Sequence, residues 1–131
     1  MTVQLDHTIV PAYDKAASAA FLADVLGLPA PEPIGPFVAV ALDQGLTIDF
    51  ADADADDAVR PLHFAFRVNE SRFDASFARI RELGLSYWAD PRRTRPGEIA
   101  QRAPGRAFYF EDPNGHFLEV LTRPAALGEA A

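Results

Sequence analysis

The chain has 131 residues, no cysteine, and 12 lysines and arginines against 19 aspartates and glutamates, for a formal net charge of −7. This length predicts one domain, and the acidic balance argues against nucleic acid as a partner because that surface must be positive. Disulfides, cysteine metal ligands and thiol nucleophiles are excluded. Without a signal-peptide pattern or an apolar run of roughly 20 residues, we expect a cytoplasmic protein with no membrane partner.

The first half predicts the element order β-α-β-β-β. Asp14 can cap the N-terminus of the helix, and Gly27 can take the left-handed position that ends it. Prolines in the segment after the helix confine any strand there to a sheet edge. The predicted elements are a strand over 3–10, a helix over 14–26, an edge or broken strand within 28–35, and a hairpin of 37–42 and 46–51.

The second half repeats this order after an acidic linker at 51–60. The linker alternates alanine with aspartate and lacks large apolar residues, so it cannot form a core. We therefore expect a single domain, 1–124, made of modules 1–57 and 58–124, with a flexible tail at 125–131. The predicted elements are a strand over 62–68, a helix over 71–83, a short strand over 85–88, a loop over 90–106, and a hairpin of 107–111 and 117–122.

The two halves match at polar landmarks, which indicates an internal repeat. A histidine stands in each opening strand, a glycine-leucine pair follows each helix, and an acidic residue stands in each closing strand. The matched residues are His7 with His63, Gly27 with Gly84, and Asp49 with Glu119.

Strand alternation predicts which of these side chains share a surface. In the second half, His63, Tyr109 and Glu119 fall on the sheet face opposite the helix, and in the first half His7 and Asp49 do the same. Two imidazoles and one carboxylate converging on an apolar surface make a ligand set for a divalent metal with open positions. Fe, Mn, Ni, Co and Zn all accept these donors.

Three segments together resemble the vicinal oxygen chelate superfamily, which includes glyoxalase I, extradiol dioxygenases, fosfomycin-resistance transferases and bleomycin-binding proteins. They are Leu5-Asp6-His7, the strand 62–66, and the stretch 108–119 with its Asp-Pro-Asn-Gly-His turn, and the likeness covers roughly 3–123. The resemblance implies an α+β fold of two βαβββ modules in a cupped mixed sheet with helices on the convex side. It also implies a homodimer, and a divalent metal held by His7, His63 and Glu119.

The same resemblance suggests roles for other residues. Asp49 falls on the position of a fourth ligand and could ligate, act as a base or face solvent, while Tyr109 fits a catalytic tyrosine of extradiol dioxygenases. His116 has the wrong parity for the site and is interpreted as a turn residue. The arginines of loop 90–106 either form a lid for an anionic substrate or serve only solubility. The candidate substrate-binding residues are Arg67, Trp88, Phe117 and Leu121.

The leading hypothesis is a metal-dependent enzyme that chelates neighbouring oxygens of a small metabolite or aromatic diol, for ring cleavage or for proton-transfer chemistry. The alternative is a protein of the bleomycin-resistance type that sequesters a drug or metabolite, since the net charge of −7 attracts cationic ligands. A third possibility is a module whose site has decayed.

Overall fold

The computed structural model describes residues 2–102 and 105–123, except for the Arg102 side chain. The chain divides into two compact units. In the described ranges, no helix has the length and apolar character needed to cross a bilayer. The first unit comprises Met1–Pro61 and Asp112–His116, and the second comprises Leu62–Glu111 and Phe117–Ala131.

The first unit is a four-stranded mixed sheet with one helix against it. Its helix begins where the Asp14 side chain accepts the Ala17 N–H at 3.0 Å and ends at Gly27, whose φ is 64°. The strand order is β1-β4-β3-β2, with β1 and β4 parallel and the other pairs antiparallel. The elements are β1 (His7–Ala12), α1 (Lys15–Leu26), β2 (Glu32–Ile34), β3 (Phe37–Ala41) and β4 (Thr47–Asp52).

The second unit repeats this topology in the order β5-β8-β7-β6. Phe73 of its helix is fully buried and meets the ring of Phe108 edge-on at 5.2 Å, so the helix covers the sheet face that carries the alternate aromatic residues. The elements are β5 (His63–Arg67), α2 (Glu70–Glu82), β6 (Ala100–Arg102), β7 (Gly105–Glu111) and β8 (Phe117–Leu121).

The α+β class and the two βαβββ modules are therefore confirmed, with shifts at three elements. Strand β1 starts at His7 rather than residue 3 and runs through Pro11, which β1 tolerates because it is an edge strand. Helix α2 begins at Glu70 rather than at residue 71, and it is capped by Asn69, whose side chain accepts the Arg72 N–H at 2.8 Å. The predicted strand 85–88 is only a bridge at Trp88, and the fourth strand, β6, lies inside the predicted loop.

Candidate metal and substrate site

Cross-strand pairs arrange the polar side chains of the second unit in three rows. The sheet face turned away from α2, called here the open face, carries every second residue of β5, β8 and β7. Trp88 joins this face because it pairs directly with Tyr109. The rows are His63–Phe117–Glu111, then Ala65–Glu119–Tyr109 with Trp88, then Arg67–Leu121–Ala107.

His63 and Glu119 form a pair with the geometry of metal donors. The His63 Nδ1 atom lies 2.9 Å from the Phe117 carbonyl, which can only accept, so Nδ1 carries the proton. In the neutral ring, Nε2 then has a free lone pair, and it faces Glu119 Oε1 at 3.4 Å. Two acceptors that face each other at this distance are satisfied by a proton on Nε2 or by a cation between them. The backbone carbonyl thereby fixes the tautomer that a metal requires.

His7 shows the same arrangement in the first unit, with a carboxylate in place of the carbonyl. Its Nδ1 lies 2.6 Å from Asp6 Oδ2, which leaves Nε2 to another ligand. The hydrogen bond that His7 donates to Asp6 raises the pKa of His7 above the ordinary 6.5, burial opposes the rise, and the charges of Asp6 and Asp49 add to it. In metal sites, a carboxylate commonly accepts the second ring N–H of an imidazole whose other nitrogen binds the metal.

Asp49 lies on the His7 side of the first sheet. In β4 it follows two residues after Thr47, the register partner of His7, so both side chains point to the same face. Its Oδ1 atom is buried and has no hydrogen-bond donor among the described residues. A buried carboxylate oxygen without a donor is a costly group unless a ligand supplies a proton or a positive charge.

Three neighbouring rings lie on the open face and are called here the aromatic platform: His63, Tyr109 and Phe117. The Tyr109 and Phe117 centroids are 5.5 Å apart with an angle of 17° between the ring planes, and those of His63 and Tyr109 are 6.2 Å apart at 22°. Trp88 extends this surface, 6.1 Å from Phe117. Of the other predicted substrate contacts, Arg67 is exposed and Leu121 half-buried in the adjoining row.

Three arginines of the predicted loop 90–106 make contacts in different places. Arg95 pairs with Glu98 on the same loop. Arg106 lies on the helix side, with its guanidinium 4.2 Å from the Phe73 ring and paired with two acidic residues of α2. Among the described side chains, Arg93 alone of these three contacts the open face, above Trp88 and Phe117.

The polar turn 112–116 has a structural function that sequence reasoning recognised only in part. His116 is 1% exposed and its Nε2 donates to the Pro11 carbonyl at 2.7 Å, which agrees with its interpretation as a turn residue. Asn114 was missed: its side chain accepts the Tyr13 N–H and donates to Ser18 and Asp112. An amide-bearing and an imidazole-bearing residue in one short turn are the sequence signal that could have indicated these buried hydrogen bonds.

Across residues 2–102 and 105–123, no three histidine or acidic side chains come together as a preformed metal cluster. The donors are instead organised in pairs within each unit. A family model, the Glyoxalase/Bleomycin resistance protein/Dioxygenase superfamily, matches residues 4–120. The chain belongs to this superfamily. The resemblance inferred from the sequence motifs is thus confirmed.

Within the superfamily, the chain is most usefully compared with two solved structures. It is 54% identical to "Oxidase ChaP-H1", covering 94% of this chain and 98% of that one, with a TM-score of 0.90. It is 56% identical to "Oxidase ChaP-H2", covering 98% of this chain and all (100%) of that one, with a TM-score of 0.91.

A curated relative matches a shorter stretch. The chain is 42% identical over 60 residues to the metallothiol transferase FosB of Shouchella clausii (strain KSM-K16), a match that covers 46% of this chain. The match spans 37% of the length of FosB. The similarity to FosB therefore supports the superfamily and leaves the reaction to be argued from the site.

Proposed function

We propose that this protein is a divalent-metal-dependent oxidase acting on a small aromatic compound that carries two neighbouring oxygens, with His7, His63 and Glu119 as metal ligands. The observation that carries the proposal is the lone pair of His63 Nε2 facing Glu119 Oε1 at 3.4 Å. The solved relatives described as oxidases favour oxygen chemistry over proton transfer alone. The cytoplasmic location and the homodimer predicted from the sequence stay predictions.

The donor set fits Fe, Mn, Ni, Co or Zn. When bound, such a metal supplies a Lewis acid and a template for the adjacent substrate oxygens. The chain's own residues do the remaining work. The aromatic platform and Trp88 stack against the substrate ring. Leu121 and Arg67 lie along one side of that ring. Asp49 takes a proton from a substrate hydroxyl at its unpartnered Oδ1, and the Tyr109 hydroxyl orients the substrate oxygens.

Metal analysis of purified variants tests the ligand assignment. We expect metal to be lost in each of His7→Ala, His63→Ala and Glu119→Ala, because each removes one of three donors. Glu98→Ala is the matched control, since Glu98 is an acidic residue that pairs with Arg95 on an exposed loop. Full metal content in all three ligand variants would refute the assignment.

Oxygen uptake tests the reaction. We expect the Fe(II)-loaded protein to consume oxygen with catechols and dihydroxynaphthalenes. Turnover of hemithioacetals by the Ni(II)- or Zn(II)-loaded protein, without oxygen uptake on diols, would instead assign a glyoxalase-type reaction.

The sequestering function remains the second candidate because of the net charge of −7. Calorimetry with cationic glycopeptides on EDTA-treated protein separates the two functions. Tight, metal-independent binding without turnover would replace the oxidase proposal.

A further inference from the structure

Arg93 is fixed on the open face of the second unit by three contacts. Its Nη2 atom lies 2.6 Å from Glu111 Oε1, and its guanidinium carbon lies 4.4 Å from the Phe117 ring centre and 5.2 Å from that of Trp88. Cation–π contacts with two rings and an ion pair hold the guanidinium beside the surface on which a substrate ring would lie. The arginine is therefore part of the site's wall.

The backbone around Arg93 is also built for this position. Arg93 has a φ of 59°, a left-handed conformation that non-glycine residues adopt only when their surroundings hold them there. The Asp90 carboxylate supplies that support by accepting the backbone N–H groups of Thr94 and Arg95 and the Thr94 hydroxyl. A loop arginine that served only solubility would need neither feature.

The guanidinium retains donor capacity for a ligand. It presents five N–H groups in a planar fork, and Glu111 contacts one terminal nitrogen. The Arg93 side chain is 43% exposed, so the remaining donors are accessible to an incoming acceptor. Arg106, by contrast, is 28% exposed and has two carboxylate partners on the helix side.

Arg93 and His63 flank the same ring. The guanidinium carbon lies 4.4 Å from the Phe117 ring centre, and the His63 ring centre lies 6.1 Å from it. In the row His63–Phe117–Glu111, Phe117 lies between His63 and Glu111, the ion-pair partner of Arg93. A flat ligand on the aromatic platform with its neighbouring oxygens toward His63 would therefore have its opposite end toward Arg93.

We propose that Arg93 determines the substrate class of this site: a flat aromatic compound with neighbouring oxygens at one end and an acidic oxygen substituent, a carboxylate or an ionised phenol, at the other. The assignment of neighbouring oxygens to one end of the substrate rests on the proposed function. The acidic end rests on Arg93 alone, because a guanidinium fork discriminates strongly between a charged oxygen pair and its neutral isostere.

Calorimetric titration of the full chain with 6,7-dihydroxy-2-naphthoate and with its methyl ester tests the proposal. We expect wild-type protein to bind the acid at least about tenfold more tightly than the ester, the usual scale of one charge-assisted hydrogen-bond pair. Arg93→Gln should remove that preference, and Arg93→Lys should keep part of it. Arg95→Gln is the control, since Arg95 pairs with Glu98 on the same loop and contacts neither ring. The indole N–H resonance of Trp88, the chain's one tryptophan, should shift in the wild type on addition of the acid.

Equal affinity for acid and ester in the wild type would overturn the proposal, as would an absence of binding or an equal loss of preference in Arg95→Gln. A second ligand pair, 2-naphthoate and 2-naphthamide, is titrated in EDTA because it needs no metal. A preference for 2-naphthoate that depends on Arg93, together with no oxygen uptake on diols, contradicts only the proposed oxidase function. Oxygen uptake on diols, with neither acid bound more tightly than its neutral partner, contradicts only the role of Arg93.

Discussion

The two units place a histidine and an acidic residue at equivalent register positions. In each, the histidine of the first strand lies opposite a residue of the last strand, and the acid follows two residues later on the same face. The sequence landmarks that suggested a repeat are thus equivalent in the sheets as well. The equivalent pairs are His7 with Asp49 in the first unit, and His63 with Glu119 in the second.

The units differ in what surrounds that pair. On β3 of the first unit, alanines at 39 and 41 occupy the positions that Tyr109 and Glu111 occupy on β7 of the second. In the second unit, the guanidinium of Arg93 also lies over Phe117, the register partner of His63. The second unit therefore carries most of the residues to which the proposed function assigns substrate contacts.

The largest expected effect separates the two acidic residues. Glu119→Gln should lower metal affinity by at least about 100-fold, because the amide cannot supply the negative charge that faces His63. Asp49→Asn should lower metal affinity by less than about tenfold. It should also slow oxygen uptake, because we assign Asp49 to proton transfer. Metal titration with a competing chelator, alongside oxygen uptake, measures both. Equal metal loss in the two variants would make Asp49 a ligand and contradict its role in proton transfer.

Much of the fold and of the candidate site can be predicted from the sequence, because side-chain alternation in strands and helix capping depend on neighbouring residues. His63, Glu119 and Tyr109 share a face by parity alone, and Asp14 caps its helix as expected. Strand β6 was missed because three residues are too few to show alternation. The position of Arg93 depends on a turn held by Asp90 and on a left-handed backbone, and neither has a periodic signature.

The turn between β7 and β8 and the turn between β3 and β4 should differ in their effect on stability. His116→Ala removes a buried donor, leaves the Pro11 carbonyl unpaired and opens a cavity, so we expect a loss of about 2–4 kcal/mol in the free energy of unfolding. Gln44→Ala, in the exposed turn between β3 and β4, should change it by less than about 0.5 kcal/mol. Urea denaturation measures both, and similar losses would show that turn 112–116 is not a structural anchor.

The two histidines should respond differently to loss of a carboxylate, because only His7 has one behind it. Asp6→Asn should lower the pKa of His7 and reduce metal affinity by about tenfold. The charged His7–Asp6 pair stabilises the fold below pH 6.5, and this contribution is lost as the pH rises through the raised folded pKa. NMR titration of the metal-free protein measures the His7 pKa. An unchanged value in Asp6→Asn would show that Asp6 does not set it.

The smallest expected effect concerns the turn that only the second unit possesses. Hydrogen bonds from Thr94, first its hydroxyl, lower the pKa of Asp90 below the ordinary 3.8. The stabilisation they bring is therefore present above pH 3.8 and is lost as the pH falls through the lowered folded pKa.

Asp90→Ala should speed amide hydrogen exchange at Thr94 and Arg95 at neutral pH and leave the free energy of unfolding within about 0.5 kcal/mol of wild type. Because the turn orients Arg93, the same variant should also weaken binding of 2-naphthoate more than binding of 2-naphthamide. Faster exchange with an unaltered preference for 2-naphthoate would show that the two aromatic rings and Glu111 hold Arg93 without the turn.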